Sequence, residues 1–172
     1  LSGYGPATDM MSIEEFCQAV IEASEGMQVG FNIRRMAIRD VYNGMILYTA
    51  KDPKPPLLCK QILARVFVPY FPTSIRPGYK ATFHVHTAVT GCCVKEIFSI
   101  DEAGNDKMCG ESVENFKTHE SALVKFEFTK VICLELFKDY PALGSFAVVS
   151  GGMTVMIGVV IEILQVEEEK KK

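Results

Sequence analysis

Apolar side chains at every second position are the feature that most constrains how this chain can fold. In "GYKATFHVHTAV" (78–89), two sets of residues would take opposite faces of a strand, Tyr79, Ala81, Phe83, Val85, Thr87 and Val89 against Lys80, Thr82, His84 and His86. The same alternation occurs in 29–33 and in "ALVKFEF" (122–128), and "ILARVFV" (62–68) is a β-branched run. Period-two alternation predicts half-buried β-strands.

Turn-forming residues separate these runs, at Asp52–Pro56, Arg76–Gly78, Ala103–Asn105, Pro141–Gly144 and Gly151–Gly152. Many short strands with such punctuation indicate an antiparallel barrel or sandwich. Because 48% of the residues are hydrophobic, a packed core is expected rather than disorder.

The apolar run "LGSFAVVSGGMTVMIGVVIEIL" (143–164) is the one candidate for a membrane segment, and it is a poor one. It contains polar residues, Glu162 and a central glycine pair, so it does not resemble a spanning helix. We interpret it as two strands joined by a turn at Ser150–Gly152. We predict that one face of the second strand is β-branched and that the opposite face is also mostly apolar. The β-branched face would consist of Val155, Ile157, Val159, Ile161 and Ile163.

The segment "SIEEFCQAVIEASEG" (12–26) disagrees with the all-β pattern. Ser12 and Glu15 form a capping box, an apolar stripe follows at helical spacing, and Gly26 is a C-terminal stop. Local rules therefore predict a helix here. Downstream, three prolines within 53–56 favour an extended connector and a domain boundary.

Six cysteines, at 17, 59, 92, 93, 109 and 133, lie mostly in apolar runs, which is typical of reduced, packed thiols in a cytoplasmic protein. No charged-then-apolar leader opens the chain, and its first residue, Leu1, is typical of a fragment or a processed chain. The net charge of −3 argues against nucleic-acid binding by bulk electrostatics. A local basic stretch remains at Lys60, Arg65, Arg76 and Lys80, and 96–120 is acidic.

Sequence motifs for nucleotide binding, metal binding or catalysis are absent or incomplete. The sequence contains no phosphate-binding Gly-x-x-x-x-Gly-Lys-Ser/Thr loop. On one strand, His84 and His86 would point the same way, and Cys92, Cys93 and His119 would be needed to complete a metal site, but the spacing fits no common zinc pattern. A Cys–His nucleophile pair from Cys92 or Cys93 with His86 lacks a supporting motif. Ordinary strand histidines and packed thiols are favoured over both.

The segment "VICLELFKDYPALGSFAVVSGGMTVMIGVVIEI" (131–163) resembles the closing motif of the archaeal and eukaryotic translational GTPases. That family includes elongation factor 1-alpha, the class-II release factor and the ribosome-rescue GTPase that works with Pelota. The motif reads C-x-E-x-[FY]-x-D-[FY]-x-x-[LM]-G-R-F-x-x-R-D, then a turn and T-[IV]-A-x-G. The matching residues are Cys133, Glu135, Phe137, Asp139, Tyr140, Leu143, Gly144, Phe146, Thr154 and Gly158.

Two further stretches support the resemblance, which extends over residues 7–164. The strand at 78–89 is similar to the family's G-[YF]-x-x-x-x-H-x-H-T-[AC], and 25–47 is similar to the end of the family's second domain. Subfamily features are mixed. Gly30–Asn32 favours elongation factor 1-alpha, "ILYTAKDPKPP" and the strand ending at His86 and Thr87 favour the release factor, and "GGMTVMIGVVIEI" favours the rescue factor.

The resemblance implies an all-β chain. Residues 1–52 would be the C-terminal part of a second β-barrel, 53–57 a linker, 58–166 a complete six-stranded antiparallel barrel and 167–172 a charged tail. It also implies a strand at 9–16 followed by a loop, in place of the local helix prediction, and we follow the resemblance there. The GTP-binding domain, with its GTP and magnesium, would lie upstream of Leu1. No catalytic residue, metal or cofactor is therefore expected in this chain.

The resemblance implies a cargo-binding role at the ribosome, without contact with a membrane. We favour the class-I release factor as cargo, with a Pelota-like protein, aminoacyl-tRNA in elongation, or a degenerate paralogue that binds other proteins as alternatives. The implied partner-binding residues are His86, Thr87, Gly144, Ser145, Phe146, Val149, Ser150, Gly151, Gly152 and Thr154. The family has Arg after Gly144 and Arg-Asp after Val148, whereas this chain has Ser145, Val149 and Ser150. Loss of two guanidinium groups is expected to weaken or rebuild the contact.

Overall fold

In the computed structural model, the chain forms two units, and the structure describes residues 8–49, 56–100 and 112–166. The first unit ends at Tyr42 and the second begins at Asn43. The proline-rich 53–55, the turn at 103–105 and the charged tail at 167–172 lie outside the described residues.

The first unit contains a three-stranded antiparallel sheet. Its strands are β1 (Met10–Glu15), β2 (Gln18–Val20) and β3 (Gly30–Ile33), in the order β2-β1-β3, and a short 3-10 turn follows at Ile38–Asp40. Its described surface carries several large apolar side chains, among them Phe16, which is 84% exposed.

The helix predicted for 12–26 is wrong, and the strand implied by the family resemblance is present. Phe16 and Cys17 adopt left-handed conformations, with φ of 46° and 65°, and turn the chain so that Glu15 pairs with Gln18. Two consecutive left-handed residues cannot continue a right-handed helix, and they match the twist of a tight hairpin. The capping pattern was local, and strand pairing with β3 overrode it.

The second unit is a closed, six-stranded antiparallel barrel, as expected for the all-β class. The strands are β4 (Leu57–Phe67), β5 (Lys80–Val85), β6 (Ala88–Phe98), β7 (Ser121–Leu134), β8 (Ser145–Ser150) and β9 (Met153–Val166). They pair in the order β4-β7-β6-β5-β8-β9, and β9 closes the barrel against β4. A single short helical turn, α1 (Pro141–Gly144), precedes β8 among the described residues.

Alternate side chains of every strand fill the barrel, and four phenylalanines form its centre. Phe83 is fully buried and lies 5.8, 4.7 and 4.3 Å, between ring centroids, from Phe126, Phe128 and Phe146. The first two contacts are edge-to-face and the third is stacked. Aromatic rings bury large apolar areas, so this cluster contributes strongly to the stability of the barrel.

The single strand predicted over 78–89 is in fact two strands. Strand β5 ends at Val85, His86 turns the chain with φ of 37°, and β6 begins at Ala88. Because the two-residue turn changes the direction in which the next side chains point, Val89 lies on the outside and is 60% exposed, not on the face of Val85.

The hairpin predicted at Ser150–Gly152 is present, since β8 and β9 pair directly on either side of Gly151–Gly152. The predicted facing of β9 is wrong beyond its start. A register shift opposite Val148 and Val149 leaves Val155 as an extra residue, so Val155 and Met156 are both buried and Ile157 points outward. A bulge shifts the alternation by one position.

Among the described residues, no helix has the length and apolar character needed to cross a membrane.

Candidate partner-binding face

Three neighbouring strands, β5, β8 and β9, present one continuous outer surface of the barrel. Cross-strand pairs align His84 with Ala147 and Ala147 with Ile157 in one row. Thr82, Val149 and Thr154 form a second row, and Ser145 with Val159 forms a third. We call this surface the β5–β8–β9 face; it consists of Thr82, His84, Ser145, Ala147, Val149, Thr154, Ile157 and Val159.

The β5–β8–β9 face has no lysine, arginine or carboxylate among its eight side chains. Its central row places the apolar Ala147 and Ile157 beside His84. Pairing of Val89 with His84 and of Phe67 with Ile157 extends the central row at both ends. Ile157 and Val89 are 44% and 60% exposed. A surface of β-branched and small side chains fits the apolar centre of a protein interface.

The predicted basic stretch is spread around the barrel. Lys60 donates a hydrogen bond from Nζ to the carbonyl oxygen of Thr129 on β7, and Lys80 lies opposite Cys93 on β6. Arg65 borders the face, opposite Val159. These three cations of the predicted stretch therefore do not form a single patch on the β5–β8–β9 face.

Two ion pairs join charged side chains of β6 and β7, outside the β5–β8–β9 face. Lys95 Nζ is 2.7 Å from Glu127 Oε2, and Lys125 Nζ is 3.2 Å from Glu96 Oε1. Hydrogen bonds from Lys95 and Gln61 hold the pKa of Glu127 below its ordinary value. These two ion pairs therefore lie outside the β5–β8–β9 face.

The predicted partner-binding residues fall into three groups. Ser145, Val149 and Thr154 lie on the β5–β8–β9 face, as their positions in β8 and β9 require. Ser150, Gly151 and Gly152 form the β8–β9 turn at the end of that face, where both glycines are exposed.

Gly144 and Phe146 form the second group, and both are buried. Phe146 points into the barrel and stacks on Phe83, so its side chain packs the core and does not reach a partner. Gly144 closes the corner between β7 and β8, where a Cβ atom would lie 2.5 Å from the backbone N and Cα of Phe137. These two residues shape and support the face from behind.

His86 and Thr87 form the third group, the turn between β5 and β6. His86 Nε2 lies 3.1 Å from the carbonyl oxygen of Cys133. Because a carbonyl only accepts, Nε2 must carry the proton and donate. Thr87 Oγ1 accepts a hydrogen bond from the backbone N–H of Gly44 at 3.1 Å. Both polar side chains therefore already have partners within the barrel unit.

The metal and nucleophile candidates do not assemble. Among the described residues, no three His, Cys, Asp or Glu side chains are grouped so that they could hold a metal ion. The prediction that His84 and His86 share a strand face is wrong, because His86 lies in the turn. Cys92 points into the barrel, where burial raises its pKa to about 12, so its thiol stays protonated at neutral pH and is a poor nucleophile.

Sequence reasoning missed several residues of the face, above all Ala147, Ile157 and Val159. The two-residue turn at Gly151–Gly152 fixes the first β8–β9 pair, Ser150 with Met153, and this could have been read from the sequence. The bulge at Val155 and the pairing of β5 with β8 could not.

Comparisons with known proteins agree with the barrel fold described above. A family model described as GTP-eEF1A C-terminal domain-like matches residues 61–161, which includes most of the barrel. The chain belongs to this family. Elongation factor 1-alpha of Metallosphaera sedula is 35% identical over 159 residues, 92% of this chain and 36% of that protein. Elongation factor 1-alpha of Entamoeba histolytica is 37% identical over 157 residues, 91% of this chain and 35% of that protein.

Among solved structures, a crystal structure of sup35 complexed with GMPPNP matches with a TM-score of 0.80 and 22% sequence identity, over 92% of this chain and 38% of that one. At this identity the likeness establishes the fold. A chain of the GTP-eEF1A C-terminal domain-like family thus has the third-domain barrel of translation factors. It spans about a third of the length of the elongation factors it matches.

Proposed function

We propose that this chain is the cargo-binding C-terminal region of a GTP-dependent translation factor acting in the cytoplasm, and that the β5–β8–β9 face binds the class-I release factor at the ribosome. The chain itself performs no chemistry in this proposal. Its sequence contains no phosphate-binding loop, so GTP and magnesium would be held by another domain.

The observation that carries the choice of cargo is the absence of cationic side chains from the β5–β8–β9 face. An RNA stem is held chiefly through its phosphates, by lysine and arginine. At the positions where the family carries arginine, this chain has Ser145 and Val149, and both lie on the face. Exposed apolar side chains in and at the ends of the central row, namely Ile157, Phe67 and Val89, instead suit a protein surface.

The test places a charge in the middle of the face. Ile157→Glu adds a carboxylate at an exposed strand position, so the barrel should remain folded. Thr129→Glu adds the same charge at an exposed position of β7 and serves as the matched control. Affinity for a purified class-I release factor should fall about tenfold or more in the first variant and stay near wild type in the second.

Salt dependence separates the release factor from the main alternative. Binding of aminoacyl-tRNA is the second candidate, because the similar proteins of Metallosphaera sedula and Entamoeba histolytica are elongation factors. RNA binding should weaken steeply as salt rises, with log affinity falling linearly with log salt, whereas binding through an apolar protein surface should change little. Tight, salt-sensitive binding of aminoacyl-tRNA, unaffected by Ile157→Glu, would overturn the proposal. Binding of a Pelota-like protein in place of the release factor would change the named cargo.

A further inference from the structure

The β5–β8–β9 face is smaller than a stable protein interface. At about 4.8 Å between strands and about 3.3 Å per residue, its rows span roughly 10 by 13 Å, or at most a few hundred square ångströms with the side chains. Stable complexes bury about 800 Å² on each partner. A protein that binds this face must therefore also cover neighbouring surface of the barrel.

The central row of the face continues past β9 into exposed aromatic side chains. Ile157 pairs with Phe67 on β4, and Phe67 pairs with Ser121, the first residue of β7. The ring of Phe67 is 36% exposed and its centroid lies 6.4 Å from that of the His119 ring. Tyr70, in the segment that follows β4, is 60% exposed. We call Phe67, Tyr70 and His119 the aromatic end of the row.

Hydrogen bonds hold the segment that carries Tyr70 against the segment before β7. The backbone N–H of His119 donates to the Val68 carbonyl oxygen at 2.7 Å. Thr118 Oγ1 accepts a hydrogen bond from the Phe71 N–H at 2.9 Å and donates to the Phe71 carbonyl oxygen at 2.7 Å. Tyr70 lies between these two attachment points. Aromatic side chains on a fixed backbone lose little conformational entropy when a partner binds them.

The turn that carries His119 is also fixed. Lys117 donates its backbone N–H to Glu120 Oε2 at 2.7 Å and accepts a hydrogen bond from the Glu120 N–H at 3.2 Å. His119 has a φ of 66°, a left-handed conformation that is uncommon for a residue other than glycine. Such a conformation persists only where the surrounding bonds determine it, and it is more frequent at functional sites.

The surfaces around the face differ in what a partner would gain by covering them. The ion pairs of β6 and β7 are already formed, and burying their charges would require desolvation. Exposed aromatic rings gain free energy on burial, and tyrosine is enriched among the residues that dominate binding energy. The aromatic end is therefore the favoured continuation of the face.

We propose that the protein that binds the β5–β8–β9 face, a class-I release factor, also covers the aromatic end, with Tyr70 as a main contact. This inference rests on the proposed function and extends the same interface across β4 to the turn before β7. It assigns specificity-determining roles to Tyr70 and His119, which lie outside the motif at 131–163.

Affinity of the full chain for a purified class-I release factor tests Tyr70. Tyr70→Ala removes an exposed ring and should weaken binding about fivefold or more, whereas Tyr70→Phe keeps the ring and should stay within about twofold of wild type. Val166→Ala is the matched control, because Val166 is 41% exposed but pairs with Cys59 at the other end of β9. Unchanged urea midpoints would show that the variants remain folded.

His119→Asn tests the second ring without disturbing the turn. Asparagine adopts left-handed φ more readily than most residues, so the backbone should be retained while the contact with Phe67 is lost. Binding should weaken about two- to fivefold.

Hydroxyl-radical footprinting of the wild-type chain gives a readout that needs no variant. Oxidation of Phe67 and Tyr70 should slow when the release factor is added, because both rings become buried. Unchanged oxidation of Tyr70 in the complex would overturn the inference.

The outcomes separate this inference from the proposed function. If Ile157→Glu abolishes release-factor binding while Tyr70→Ala and His119→Asn bind like wild type, the aromatic end is wrong and the proposed function stands. If Tyr70→Ala weakens binding while Ile157→Glu does not, the aromatic end contacts the partner and the β5–β8–β9 face fails. Stacking of RNA bases on Tyr70, seen as loss of aminoacyl-tRNA affinity in Tyr70→Ala, would overturn both. Self-association that Tyr70→Ala abolishes would assign the rings to a second copy of the chain instead.

Discussion

Substitution of Gly144 by alanine tests whether the corner between β7 and β8 is set by packing. The added Cβ would lie 2.5 Å from both N and Cα of Phe137 and 2.9 Å from the carbonyl oxygen of Glu135. All three neighbours are backbone atoms, so no side chain can rotate away to make room. The corner is also tied to β9, because the Phe137 N–H donates to the Val160 carbonyl oxygen at 3.0 Å.

These contacts set the magnitude of the effect. Overpacking a tight site costs about 1–3 kcal/mol. Moving the corner outward would also break at least one backbone hydrogen bond, with a net cost of about 1 kcal/mol. We therefore expect Gly144→Ala to reduce the free energy of unfolding by about 2–4 kcal/mol, a large part of the roughly 5–15 kcal/mol typical of a domain.

Urea denaturation, followed by circular dichroism, measures this loss. With a slope of about 2 kcal/mol per molar urea, the middle of the range for small proteins, the midpoint should fall by about 1–2 M. Ser145→Ala is the neighbouring control; it removes an exposed hydrogen bond from Ser145 Oγ to the Pro141 carbonyl oxygen and should cost about 1 kcal/mol or less. A midpoint for Gly144→Ala equal to that of the wild type would refute the argument that backbone contact selects glycine here.

Two further predictions concern the barrel interior. Phe83→Ala should destabilise the barrel by about 3–5 kcal/mol in the same urea assay, whereas Phe67→Ala, at the outer surface, should cost much less. Burial raises the pKa of three thiols, those of Cys59, Cys92 and Cys133, from the ordinary 9.0 to about 12. Their contribution to the stability of the fold is therefore complete below pH 9 and is lost as the pH rises toward 12. The free energy of unfolding should therefore fall by about 3 kcal/mol between pH 9 and pH 10, and a flat profile would contradict the assigned burial. In a Cys109→Ser chain, iodoacetamide should alkylate the exposed Cys17 well before these three thiols, and equal alkylation rates would contradict it as well.

Local sequence patterns correctly predicted the all-β class of the fold and many of the residues in its core. Alternation in 122–128 placed Val124, Phe126 and Phe128 on one buried face, as observed. The glycine pair at 151–152 located a hairpin, also as observed. Such features depend on a residue and its immediate neighbours, because the period of a strand and the geometry of a two-residue turn are properties of a few consecutive peptide units.

Two of the errors arose where non-glycine residues at positive φ changed the direction of the chain. The capping pattern at 12–26 indicated a helix, but left-handed Phe16 and Cys17 form a hairpin turn instead. His86 interrupts the alternation of 78–89 in the same way. Non-glycine residues at positive φ are uncommon, and the sequence carries no marker for them, because their strain is compensated by contacts elsewhere.

The sequence alone therefore establishes an all-β chain with alternating apolar strands and a family motif, since these are local or compositional properties. Only the folded barrel shows which residues belong to the β5–β8–β9 face, that Gly144 and Phe146 are buried, and that Gly44 donates a hydrogen bond to Thr87. These join segments far apart in the chain, and their register depends on how six strands close together. Closure, not local preference, decides which side chains lie on the outer surface and which support it from within.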